Sequence, residues 1–163
     1  MKLGLTLDVE FPDKVGCDRI ADAVGAVGHY PLPLITIDMG TATTINVVDE
    51  NLCFHGGIIM PGVGTANRAL LGKTAQLPRG KKDMPKATIG INTQQCITSG
   101  MIYGNACAID GLIERINEEL GVKCTVIATG GHADTIIPHC RSEIILDPDL
   151  LMKGLQILYT TNK

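Results

Sequence analysis

Residues 38–44 read Asp-Met-Gly-Thr-Ala-Thr-Thr and directly follow the apolar run Leu-Ile-Thr-Ile. In a tight turn, an Asp-x-Gly-Thr stretch has an ordinary use: the carboxylate bonds to the turn backbone and glycine supplies an unusual dihedral. It also suits a phosphate clamp. Gly40 would let backbone approach phosphate oxygens, Thr41 offers hydroxyl and N–H donors, and Asp38 could hold a cation that offsets phosphate charge. Four other stretches carry similar chemistry. Gly16-Cys17-Asp18-Arg19 places a carboxylate and a guanidinium in the first turn of a helix, where Asp18 also has a plain role as a favourable charge. Residues 56–65, GGIIMPGVGT, put two glycines inside a strand, as happens where a ligand or another backbone comes close. Thr129-Gly130-Gly131 leads from a strand into a helix, a place that favours anions. Thr93, in NTQQCITSG at 92–100, stands at a helix start and could donate to a substrate or act near the cap.

The elements that would position these residues follow from hydrophobic period. Residues 2–11 alternate strictly, with Leu3, Leu5, Leu7, Val9 and Phe11 on one side, as in a half-buried strand. Pro12 ends it, and Asp13 is placed to cap a helix from about Lys14 that carries Ile20, Ala23, Val24 and Val27 on one face. Three strand-like runs follow at 34–39, 43–49 and 52–60, joined by links too short for crossovers, hence an antiparallel meander. A helix is predicted over 63–71 and a loop over 74–91. The long helical pattern at 93–120 stops at Gly121, with Ile109, Leu112, Ile113, Ile116 and Leu120 on one face. A strand at 124–129, a helix after the two glycines, a strand at 143–146 and a helix at 149–159 complete the order. This order predicts an α/β fold, a mixed sheet with helices on both faces.

Composition excludes several partner classes. The chain has 163 residues, 45% hydrophobic and 19% charged, with a net charge of −3. Its one short basic run, 79–82, is no footprint for nucleic acid or an anionic membrane. The amino-terminal residues carry charges where a signal peptide needs its apolar run, and no stretch is long enough to span a bilayer, so a cytoplasmic location is predicted. Cys17, Cys53, Cys96, Cys107, Cys124 and Cys140 lie far apart, as reduced small hydrophobes do. His132, His139 and Cys140 lack further ligand spacing around them and are read as structural.

The element order resembles a ribonuclease-H-like lobe of the acetate and sugar kinase, heat-shock ATPase and actin superfamily. The motifs narrow this. GCDR at 16, DMGTATT at 38, GGIIMPG at 56, NTQQCITSG at 92 and TGG at 129 occur in the order and spacing of type III pantothenate kinases, and the resemblance runs from about Leu3 to the C-terminus. It implies ATP-dependent phosphorylation of pantothenate, the first step toward coenzyme A, by a cytoplasmic homodimer that needs magnesium with ATP and a monovalent cation, potassium or ammonium. Carried over by position, Asp18 matches the catalytic base, and Gly16, Cys17 and Arg19 match its substrate-contacting neighbours. Cys17 stands where the family often has alanine. Asp38 matches the cation ligand, Gly40, Thr41, Gly130 and Gly131 match the ATP side, and Thr93 matches a pantothenate contact.

One departure goes with this resemblance. The family opens with a first lobe whose leading strand carries an Asp-x-Gly-Asn-Thr turn, and no such stretch stands in this sequence. Residues 1–30 are therefore expected to be the last strand and helix of a first lobe, with an uncovered apolar face, and 31–163 the second lobe. On this expectation the chain alone has no measurable kinase activity, and the first lobe comes from the same or a separate chain. The alternatives are a non-catalytic binding or regulatory relative and another phosphotransferase of the superfamily.

Overall fold

The computed structural model describes residues 2–73 and 87–163. Its strands are β1 (Thr6–Leu7), β2 (Leu34–Met39), β3 (Ala42–Val48), β4 (Cys53–Pro61), β5 (Thr125–Thr129) and β6 (Ile145–Leu146). Its helices are α1 (Cys17–Val27), α2 (Val63–Lys73), α3 (Thr93–Leu120), α4 (Ala133–Ile136) and α5 (Leu150–Thr161). One sheet runs β1-β4-β3-β2-β5-β6. The meander β2-β3-β4 is antiparallel, and β1 on β4, β5 on β2 and β6 on β5 are parallel. Counted from β2, the order is 3-2-1-4-5 with only the second strand reversed, the mixed sheet expected of a ribonuclease-H-like lobe. Most of the predicted 74–91 loop, with the basic run, falls outside the described residues.

Period 2 divides the sheet into two faces. Ile35, Ile37, Met39, Ile45, Val47, Val126 and Ala128 pack under α2, α3 and α4. Leu34, Val48, Phe54 and Ile127 pack under α1 and α5. β2 is covered on both sides, which is why it reads as a continuous apolar run. The long helix starts where Asn92 accepts the Gln95 N–H at 3.0 Å and stops where Gly121 turns left-handed at φ 69°. No described helix is long and apolar enough to cross a membrane.

Three expectations need correction. Asp13 does not cap α1: Pro12–Lys14 form a separate 3-10 turn, because proline prefers a first-turn position, and Gly16 is the residue before the helix. The alternation over 2–10 holds in burial, but only Thr6 and Leu7 pair with a neighbour, against Cys53 and Phe54. The apolar face of α1 is not uncovered either. Ile20, Ala23 and Val24 are buried, because α1 lies on the sheet and against α5. Glycines permit that contact: a Cβ on Gly154 would overlap the Ala21 carbonyl, and one on Gly25 the Leu150 carbonyl. Tyr30 Oη donates to Asp147 at 2.7 Å, and Asn162 accepts the Lys2 N–H at 2.6 Å.

Candidate functional site

The sheet face beneath α1 changes character along its length. Leu34, Val48, Phe54 and Ile127 make one end apolar. Toward the carboxyl ends of parallel β2 and β5, the same alternation brings up Thr36, Asp38, Thr44, Asn46 and Thr129. Sites in open α/β sheets form at such carboxyl ends. Here the amino end of α1 supplies the other wall. Arg19 Nε donates to Asn46 Oδ1 at 2.6 Å, and Asn46 Nδ2 donates to Thr36 Oγ1 at 3.2 Å. The Arg19 guanidinium also lies 5.6 Å from the Phe54 ring centre, a cation–π contact. Burial lowers its pKa, opposed by the Asp18 carboxylate.

Two carboxylates named from the sequence feel each other's charge here. Asp18 is exposed in the first turn of α1, where its Oδ1 accepts the Arg19 N–H at 2.9 Å. Half-buried Asp38 has its pKa raised by burial first and by the Asp18 charge second. A third carboxylate was not identified from the sequence. Asp22 follows Asp18 by one turn and so shares its side of the helix. It is 1% exposed, and its Oδ1 has no hydrogen-bond partner. Burial, then the charges of Asp38 and Asp18, push its pKa up to about 7. An acidic residue between Ala21 and Ala23, inside an otherwise apolar helix face, was the available signal.

The glycines divide by role. Gly130 is left-handed, at φ 94°, and packs so closely on Asp38 that a Cβ would overlap the carboxylate and the Met39 amide. Gly40 also lies beside Asp38, whereas Gly131 faces open space. Gly62 packs on the carbonyls of Gly40 and Thr41. Thr41 accepts the Gly62 N–H at 3.1 Å and the Thr65 hydroxyl at 2.8 Å, tying the turn to the start of α2. Within β4, the glycines answer to backbone rather than ligand: Gly56 has φ 87°, and Gly57 abuts the Ile45 carbonyl at a register shift between β3 and β4.

The other sequence candidates stand either next to Asp18 or between α2 and α3. Gly16 and Cys17 are exposed beside Asp18. Thr93 is the first residue of α3, with Asn92 as the cap, and lines a cavity of about 400 Å³ between α2 and α3 with Val63, Asn67, Leu70 and Met101. His139 stacks edge-on against Tyr103 at 5.4 Å, and burial pushes the Cys140 thiol up to about 12, as suits packed residues. The helix expected after Gly131 is a single turn, α4, preceded by His132.

The family profile described as type III pantothenate kinase matches residues 1–115. The chain is 45% identical over 163 residues to the type III pantothenate kinase of Exiguobacterium sibiricum and 40% identical to that of Brevibacillus brevis. Each match covers 100% of this chain and 64% of the relative, so the chain spans about two-thirds of the length of these curated relatives. Among solved structures, it is similar to a protein of Campylobacter jejuni described as a Baf family transcriptional activator. The TM-score is 0.70 at 19% identity, over 97% of this chain and 69% of that one. It is also similar to the ethanolamine utilization protein EutJ of Carboxydothermus hydrogenoformans, at TM-score 0.51 and 17% identity, over 84% and 50% of the two chains. At these identities the structural likeness establishes the fold alone.

Proposed function

The chain belongs to the type III pantothenate kinase family, and from that premise we propose that it carries the acceptor side, and part of the phosphate side, of ATP-dependent pantothenate phosphorylation. The product would be 4'-phosphopantothenate, on the route to coenzyme A. The observation that carries this reading is that the Asp18 charge, from the first turn of α1, acts on Asp38 at the carboxyl end of β2, where Gly40 and Gly130 lie against the Asp38 carboxylate.

Asp18, exposed and held by the Arg19 amide, takes the proton of the pantothenate hydroxyl as that oxygen bonds to the γ-phosphorus and ADP departs. Arg19, Gly16, Cys17 and Thr93 serve the acceptor. Thr41, Gly130 and Gly131 serve the nucleotide. Asp38 beside the unpartnered buried oxygen of Asp22 fits a monovalent cation, potassium or ammonium, and magnesium accompanies ATP. When bound, these cations offset the phosphate charge. In this reading, residues 1–30 belong by descent to a first lobe. β2 to β6 already complete the five-strand order, and β1 and α1 are additional to it.

The test is pantothenate-dependent ADP release by the chain supplied with the remaining length of its relatives. Asp18→Asn should lower turnover by about 10²–10⁴-fold. Stability should hardly change, since a first-turn charge is worth about 0.3–1 kcal/mol. Equal turnover in the variant would remove Asp18 as the base, and no pantothenate-dependent release by the wild type would remove the kinase reading. The homodimer has its own test. Gly100 and Gly104 are exposed one turn apart on α3, where an added Cβ meets nothing within 4 Å. Gly104→Leu should shift sedimentation toward monomer, and an unchanged dimer would place the interface elsewhere.

A further inference from the structure

At the sheet edge where β1 joins β4, the pleat gathers a second group of reactive side chains. Phe54 points into the core beneath α1, so Cys53 and His55 point to the opposite face. The parallel register pairs Thr6 with Cys53 and Leu7 with Phe54, and the Asp8 N–H donates to the Phe54 carbonyl at 3.0 Å. Asp8 thus arrives beside His55: its Oδ2 lies 3.3 Å from the imidazole Nδ1. Ligand atoms of Asp8, Cys53 and His55 all lie within 4.8 Å of one another.

Asp49 completes the arrangement from the β3–β4 turn. Its Oδ1 accepts the Asn51 and Cys53 N–H groups, both at 2.9 Å, and its Oδ2 lies 3.0 Å from His55 Nε2. The imidazole is therefore set between two carboxylates. If Nε2 keeps its hydrogen for Asp49, Nδ1 faces the Asp8 carboxylate and requires a positive centre there, either a proton or a metal ion. A carboxylate–histidine pair that fixes the ring and leaves the other nitrogen for an ion is a recurrent support for zinc ligands.

We infer that Asp8, Cys53 and His55 form a binding site for a zinc-class divalent ion, with Asp49 orienting the histidine ring. Tetrahedral bonds of about 2.0–2.3 Å place neighbouring ligand atoms about 3.3–3.8 Å apart, so the 3.3 Å between Asp8 and His55 fits one edge. Thiolate, imidazole and carboxylate suit zinc, whereas magnesium prefers oxygen alone. Three protein ligands leave a fourth position for water. Binding releases the Cys53 thiol proton and, where the ring is protonated, the His55 Nδ1 proton to solvent, while the metal accepts the sulfur, nitrogen and oxygen lone pairs.

The test is a titration of the 163-residue chain with Zn²⁺ and with Co²⁺ as a spectroscopic substitute. One equivalent should bind, excess Mg²⁺ should not displace it, and the cobalt form should show a thiolate-to-metal charge-transfer band. Cys53→Ser should abolish that band, while Cys17→Ser and Cys107→Ser, at exposed thiols elsewhere, should keep it. Asp49→Asn should weaken Zn²⁺ affinity by about 10–100-fold. Asp8→Asn, at an exposed position that the fold tolerates, should weaken it by at least tenfold even if Cys53→Ser folds poorly. No binding at micromolar Zn²⁺, unchanged affinity in Asp8→Asn, or a band that survives Cys53→Ser would each overturn the site.

Discussion

Asp22 shows how position can reverse the meaning of a residue type. Its carboxyl is buried beside Asp38 and Asp18, so its folded pKa, about 7, exceeds the ordinary value of 3.8. Between those values the folded chain holds a proton that the unfolded chain has lost. Stability contributed by this group is therefore fully present at low pH, falls as pH rises from about 4 to 7, and levels off above. One proton limits the loss to about 1.4 kcal/mol per pH unit. Asp22→Asn, which resembles the neutral acid, should remove this slope. Urea denaturation of both proteins across pH 4–8 should show the variant's relative stability rising with pH; a constant difference would mean that Asp22 titrates normally. The comparison with the variant matters because Asp38 and His55, whose pKa values are also raised, slope the same way over parts of this range. Asp18, Arg19, Asp38 and Gly130 were legible because each sits in a short motif whose residue types suit phosphate chemistry. Asp22, Asn46 and Thr36 were not, since their importance comes from the facing of α1 on β2 and β3, which no local pattern records.

Among elements, the signals with the strongest local cause were read well. The meander followed from links too short for crossovers, and α3 follows its predicted bounds because Asn92 and Gly121 supply both caps. β1 and α4 fell short because their lengths depend on neighbours: β1 pairs through only two residues, and α4 gives way to a 3-10 turn containing Pro138. The helix glycines make the same point. Gly25 and Gly154 let α1 and α5 touch backbone to backbone, whereas an added Cβ on Gly111 in α3 meets nothing within 4 Å. Gly154→Ala should thus destabilise by about 1–3 kcal/mol, as overpacking does. Gly111→Ala should stabilise by about 0.5–1 kcal/mol through helix propensity. Chemical denaturation of the pair decides it. The same sign for both would mean that helix propensity, and not close packing, governs the α1–α5 contact.

At the scale of the whole molecule, topology and packing draw different boundaries. By strand order, β2 to α5 form a complete lobe, and β1 with α1 look detachable. By packing they are not. Ile20, Ala21, Ala23, Val24 and Ala26 of α1 are buried, and the same helix covers part of the wall made by Leu34, Val48, Phe54 and Ile127. Each large apolar side chain buried is worth about 1.5–3 kcal/mol. Exposing several on both sides of this contact exceeds the roughly 5–15 kcal/mol that holds a domain together. Removing residues 2–30 should therefore abolish cooperative folding of the remainder, with a broad urea transition and binding of a hydrophobic dye in place of a sharp midpoint. The shortened chain would also lose the Tyr30 bond to Asp147, leaving that buried carboxylate to Lys153 and the Asp149 N–H. If residues 31–163 unfolded sharply at the midpoint of the whole chain, the lobe defined by strand order would also be the folding unit, and α1 an appendage resting on it.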